Sequence, residues 1–146
     1  MYFFYPFYIK KEDAKDVINW QRKIIALVLI AMGAVIWVMR MFVYPKLSLL
    51  YIDLNTNLPV LTQSFPTLSL VIMIGIFIIA LYLLFSKPDY SKANMIVKKY
   101  KSGEMIKTKE LIDNKVQFLV IGVVILLVIY LFTSLISPIY SLTNQY

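Results

Sequence analysis

Apolar residues gather into three long runs separated by short mixed stretches. The first runs from Ile24 to Val43, IIALVLIAMGAVIWVMRMFV, and is broken only by Arg40. The second runs from Leu68 to Phe85 and the third from Val116 to Ile136. Each is about 20 residues long and spans roughly 30 Å as a helix, the thickness of a bilayer's hydrocarbon core. Backbone polar groups in lipid need partners within their own segment, so each run is expected to be helical. Pro66 suits the first turn of the second helix, because its missing N–H is unsatisfied there anyway. Lys87 and Pro88 end that helix, and Pro138 closes the third.

The connecting stretches carry weaker helical periods. Ala14, Val17, Ile18 and Gln21 mark an amphipathic helix from Glu12 to Gln21 that runs into the first span, with Trp20 at the membrane boundary. Between Pro45 and Pro59, Leu47, Leu50, Tyr51 and Leu54 mark a surface helix ending at Asn55-Thr56-Asn57. Pro59 disfavours helix at Leu58, and Thr62 or Ser64 stands ready to cap the next helix. Ala93, Ile96, Val97 and Tyr100 face away from Lys92, Lys98, Lys99 and Lys101, which predicts a basic amphipathic helix broken at Ser102-Gly103. Thr108 then caps a helix that continues through Leu111 and Ile112 into the third span.

The expected architecture is an all-α membrane protein with three transmembrane helices and short amphipathic surface helices. Its parts are an aromatic and basic segment (1–23), span 1 (24–43), an outer loop (44–67), span 2 (68–85), a basic loop (86–115), span 3 (116–137) and an outer tail (138–146). Composition agrees. Of 146 residues 60% are apolar and 16% charged, against about 45–50% and about 25% in soluble domains. A separate catalytic domain of ordinary size is excluded. The chain has no cysteine and no histidine, which removes thiolate nucleophiles, zinc–thiolate sites, the commonest general base and the commonest haem ligand. No enzyme activity, metal or cofactor is expected.

Charge sets the expected orientation. All of the 15 lysines and arginines except Arg40 and Lys46 lie before the first span or between the second and third. The positive-inside rule puts both segments in the cytoplasm, and the C-terminus outside. A bacterial inner membrane fits, as does the frequent use of isoleucine, lysine, tyrosine and asparagine, a mark of an AT-rich genome. MYFFYPFYI lacks a small-residue cleavage site and is not read as a cleavable signal. Tyr2 to Tyr8 form an interfacial segment or a contact with a partner subunit. The basic helix, with Lys98, Lys99 and Lys101, is expected on anionic headgroups, or alternatively on a cytoplasmic partner. Nucleic acid is not expected, because the lysines are dispersed and lack aromatic platforms on the same face.

The run Val43 to Thr62, VYPKLSLLYIDLNTNLPVLT, resembles the end of a membrane span and the adjoining loop in inner-membrane platform proteins of type II secretion and type IV pilus assembly. That family's pattern is Val-Pro-x-Phe, a short amphipathic helix, then Leu-Pro-x-x-Thr. Pro45, Leu47, Tyr51, Leu54, Leu58, Pro59 and Thr62 stand at matching spacing. Tyr44 is inserted after Val43, and Leu47 replaces Phe. The family's large cytoplasmic helical domains are absent. The resemblance implies a local structure of span, surface helix, Leu-Pro turn and span.

Polar residues within the runs are few. Arg40 either snorkels to the outer surface or pairs with Asp53 or a partner's carboxylate. Tyr82, Tyr130, Thr133, Ser134 and Ser137 can bond backbone or a neighbouring helix. Gly33, Gly75 and Gly122 permit close approach, but no Gly-x-x-x-Gly pair occurs. The expected role is an accessory or assembly subunit packed against larger membrane-protein subunits. The alternatives are a divergent platform-like component and a small oligomeric transporter or channel. Candidate contacts are Arg40, Pro45, Tyr51, Asp53, Pro59 and Thr62 outside, and the aromatic N-terminus with Lys98, Lys99 and Lys101 inside.

Overall fold

A computed structural model describes residues 6–101, 104–112 and 114–143, with side chains described for 115–140 of the last segment. The break expected at Ser102-Gly103 and the aromatic residues Tyr2 to Tyr5 lie outside the described residues. Three helical elements are long and apolar enough to cross a membrane: Lys11–Asp53, Val60–Phe85 and Lys115–Tyr140.

The first begins with a 3-10 turn at Lys11–Asp13 and continues as α1 (Ala14–Val38), a π-helical turn (Met39–Val43) and α2 (Tyr44–Asp53). The amphipathic start runs into the apolar run as expected. The surface helix, expected as a separate element, continues the first span. Pro45 explains how. An α-helical ladder would drive its ring into the carbonyl four residues back. The preceding turn is widened, so that the Tyr44 N–H bonds the Met39 carbonyl five residues back. The helix is bulged at the proline and not broken. It ends where expected: Asn55 takes a positive φ of 51°, its N–H bonds the Ile52 carbonyl at 3.0 Å, and the Thr56 N–H bonds that of Tyr51 at 3.1 Å. This is a Schellman motif with Asn in the left-handed position.

The second long helix, α3 (Val60–Phe85), starts eight residues before Leu68. Pro66 lies inside it, so the expectation that Pro66 opens the helix is corrected. Pro59 is extended (φ −54°, ψ 144°) and precedes the first turn. Neither Thr62 nor Ser64 caps this helix. The Ser64 hydroxyl donates to its own helix at Leu61, 3.0 Å. Thr62, Phe65, Ser69, Ile76 and Ala80 are buried on one face, and that shared face carries the helix through the proline. The third element, α6 (Asn114–Leu131), a π-helical turn (Phe132–Ile136) and α7 (Ser137–Thr143), also runs through its proline. The Ser137 N–H reaches the Phe132 carbonyl five residues back, just before Pro138. Pro138 therefore does not close the helix.

Helices α1 and α3 pack antiparallel along their length, and the third element joins them with Val120, Leu127 and Leu131 of α6 and Leu135 of the π-helical turn. One end of this bundle carries Pro45, Pro66 and Pro138 and is the proline end; the other is the lysine end.

At the lysine end a second, smaller core forms. Tyr8–Ile9 (β1) pairs antiparallel with Ile106–Lys107 (β2), with Tyr8 opposite Lys107 and Ile9 opposite Ile106. Helix α4 (Ser91–Lys99) and the single turn α5 (Thr108–Leu111) complete it. Its core is Ile9, Ala14, Val17, Ala93, Ile106, Leu111 and Ile112, flanked by Ile18, Ile96, Val97 and Tyr100. The period of α4 is as expected, and the helix packs against α1 and α5. The helix expected from Thr108 into the third span stops at Leu111, because Ile112 is extended (ψ 135°). Thr108 caps nothing. Its N–H donates to the Phe7 carbonyl at 3.1 Å and its hydroxyl to that of Pro6. The fold is thus nearly all-α, with two short strands that close the lysine end.

Candidate functional site

The proline end gathers most of the bundle's polar side chains; several bond to backbone, while the buried Tyr130 and Ser134 hydroxyls have no partner among the described residues. Pro138 has no N–H for the Ser134 carbonyl four residues back. The Thr62 hydroxyl donates to that carbonyl at 2.8 Å, fully buried. The Tyr51 hydroxyl donates to the Pro138 carbonyl at 3.0 Å, also buried. Arg40 donates to the Pro66 carbonyl, which also takes the Ser69 hydroxyl at 3.2 Å. Thr133 bonds back to Ile129 at 2.9 Å. Each bond joins a side chain to a carbonyl, which suits an apolar medium where an unmet polar group is costly.

An aromatic stack ties the three helices together at the same level. Phe65 is fully buried. Its ring lies 5.9 Å from Tyr44 at 27° and 5.9 Å from Tyr130 at 22°. One ring comes from each long helical element, and such pairs add about 0.5–1.5 kcal/mol beyond area burial. Sequence reasoning placed Phe65 in a loop and missed this role. The signal was present in the spacing of Thr62, Phe65 and Ser69.

The candidate contacts therefore separate. Arg40, Tyr51 and Thr62 come together at the proline end. Tyr51 and Thr62 are buried within the chain, and their hydroxyls donate to carbonyls of the third long helical element. Arg40 bonds Pro66, and no ion pair joins it to Asp53. Pro45, Asp53 and Pro59 lie on the same end, and all three are exposed.

Arg22 is a further polar residue that sequence reasoning passed over. At the lysine end its guanidinium donates to the Leu83 carbonyl at 3.0 Å and to the Ser86 hydroxyl. Its charge complements the C-terminus of α3. Between Arg22 and Arg40, on the face away from α6, α1 and α3 form an open apolar groove of about 460 Å³, with Ile30, Gly33, Ala34 and Trp37 along one wall and Ile74 and Phe77 on the other.

At the lysine end, Lys98, Lys99 and Lys101 are exposed, as is Met95 one turn before the first two. The neighbouring acids are engaged locally. Glu110 accepts the Tyr100 hydroxyl at 2.9 Å; that bond raises the Tyr100 phenol above its usual range, since a phenolate beside the carboxylate is disfavoured. Glu104 accepts the Lys101 backbone N–H at 2.9 Å. Asp89 accepts the Ser91 N–H at 2.8 Å and its hydroxyl at 3.0 Å, which lowers the Asp89 carboxyl. Among the described residues no three His, Cys, Asp or Glu side chains come together to hold a metal.

Compared with protein-family models, with curated proteins and with solved structures, the chain matches none.

Proposed function

We propose that this chain is a small, non-enzymatic integral membrane protein. It serves as an accessory or assembly subunit of a larger protein complex in a bacterial inner membrane, with its N-terminus in the cytoplasm and its C-terminus outside. One observation carries the reading. The polar side chains of the long helices at Arg22, Arg40, Tyr51, Thr62, Ser69 and Thr133 bond to carbonyls within the chain. The outward surfaces, including the groove between α1 and α3, are left apolar. A surface of that kind suits lipid and the flanks of larger membrane subunits. It offers no polar lining for a solute path. Lys23 and Lys87 flank the bilayer and meet anionic headgroups. Solubilisation in mild detergent followed by native electrophoresis tests the reading. The chain is expected in a defined band much larger than itself, and migration only as a free monomer would overturn it.

A second reading, a divergent platform-like component of a secretion or pilus machine, is favoured by the segment Tyr44 to Thr62. It forms a helix continuous with the first span, a left-handed Asn55 turn, a Leu58-Pro59 entry and a buried Thr62; the turn and the Leu-Pro entry are the parts that support this reading. Deletion of the gene is then expected to impair secretion or piliation, and unchanged secretion and piliation would remove this reading.

A further inference from the structure

The lysine-end module carries a basic surface that faces water at a distance from the bilayer. The distance comes from α1. Arg22 grips Leu83 and Ser86 at the end of α3, and on the membrane-subunit reading the membrane boundary falls there, near Lys23. Lys15 stands about 12 Å and Lys11 about 18 Å beyond that boundary along the helix axis, and an ordinary tilt of about 20° shortens this only slightly. Helix α4 is tied to those levels. The Lys15 ammonium lies over the Tyr90 ring, 5.7 Å from its centroid, at the start of α4. The Lys11 ammonium donates to the Tyr100 carbonyl at its end. Lys98, Lys99 and Lys101 flank Tyr100. The headgroup layer takes up about 5–7 Å of this distance, so the three lysines, at the Lys11 level, stand about 10 Å outside it, beyond the Debye length of about 8 Å at physiological salt.

The same helix has spent its apolar face inside the module, on Ala14, Val17 and Ile106. Its outward face presents Met95, two-thirds exposed, with Lys98 and Lys99 one turn on. No ion pair neutralises these three lysines among the described residues. The pair at the helix end suits the C-terminal dipole, which accounts for two charges and not for an exposed methionine beside them. A flexible apolar side chain beside positive charge with no ion-pair partner complements a segment that carries both apolar and acidic residues.

We propose that Met95, Lys98, Lys99 and Lys101 form a docking site for an acidic amphipathic segment of a protein in the aqueous phase, and not for the bilayer surface. The proposal rests on the membrane-subunit reading and names the chemistry of one partner. Lysines supply the complementary charge and Met95 supplies the apolar centre.

The test uses the full chain in nanodiscs of phosphatidylcholine and a fluorescent synthetic peptide with Leu and Glu at heptad spacing, monitored by anisotropy. Binding is expected to weaken as salt rises. The triple variant Lys98→Glu, Lys99→Glu, Lys101→Glu is expected to lose about tenfold or more in affinity. Met95→Ser is expected to lose about threefold or more, which charge alone would not produce. Lys23→Glu with Lys87→Glu leaves binding unchanged. Equal binding by wild type and the triple variant, or no effect of Met95→Ser, overturns the proposal. A second arm measures acetylation of Lys98, Lys99 and Lys101 in nanodiscs with and without phosphatidylglycerol. Equal rates are expected, and protection by the anionic lipid would make the membrane the occupant and overturn the proposal. Recovery of the chain with larger subunits but without peptide binding defeats only this inference. Peptide binding by a chain that always runs alone defeats only the subunit reading.

Discussion

Arg22 and Arg40 stand about five helical turns apart on one continuous helix, and so on the same side of it. Each holds a carbonyl of the same antiparallel neighbour. Arg22 bonds Leu83 and Arg40 bonds Pro66. The separation of about 27 Å is close to the thickness of a hydrocarbon core. The two guanidiniums thus clamp the first two long helical elements near both ends of their apolar stretch, and each charge carries its own acceptor.

Substituting either arginine by alanine is expected to cost about 1.5–3 kcal/mol, the range for hydrogen bonds to charged groups. The two sites are far apart and share no partner, so the double variant is expected to lose the sum within about 0.5 kcal/mol. Denaturant titration in detergent, with a probe on each of the two spans, measures both.

The bond from Thr62 to the Ser134 carbonyl exists because Pro138 supplies no N–H. Thr62→Val is expected to destabilise the docking of the third span by about 0.5–1.5 kcal/mol, and Thr62→Ser to retain most of it. Pro138→Ala restores a donor to the helical ladder. In that background the cost of Thr62→Val is expected to shrink, and a double-mutant cycle reads the coupling.

The strand pair puts Tyr8 opposite Lys107, with Cβ atoms about 4.5–5.5 Å apart in such pairs. That is close to the spacing a disulfide needs. Because the chain has no cysteine, Tyr8→Cys with Lys107→Cys is free of background. Oxidation in native membranes is expected to give an internal cross-link, seen as a mobility shift reversed by reductant. Pairing Tyr8→Cys with Asp53→Cys is expected to give none.

Asp89 holds the first turn of α4 by accepting both Ser91 groups. These bonds hold its carboxyl below the ordinary aspartate value of 3.8. The unfolded group therefore binds its proton first as pH falls. The stabilisation is fully present above the unfolded value and is lost as pH falls through the lower folded one. Protection of the Ser91 amide, measured against its intrinsic exchange rate, is expected to persist at neutral pH and to fall only below about pH 4. Asp89→Ala is expected to lose that protection at every pH.

Much of this architecture was legible in the chain. The three apolar runs marked three long helices, and Asn55 marked the end of the first element. The prolines were read too locally. Pro66 and Pro138 looked like helix boundaries, because an interior proline costs about 3 kcal/mol. Their carbonyls, and the one that Pro138 leaves free, are met by Arg40, Tyr51 and Thr62 from other helices, and no window around a proline contains that. Arg22 was hidden beside Lys23 as one more flanking charge; its five-turn spacing from Arg40 was the signal to read. The α4 period was readable, but an apolar stripe does not say whether lipid or protein covers it. Strands two residues long, with partners at opposite ends of the sequence, have no period to detect.

A chain that bonds its own polar groups inward and leaves apolar flanks outward is expected to work within a larger membrane assembly. The decisive experiment is affinity purification of the tagged chain from native membranes in mild detergent, with quantitative mass spectrometry of the proteins that accompany it. A reproducible, stoichiometric set of larger membrane proteins is the expected result. Recovery of the chain alone, or only with copies of itself, would contradict it.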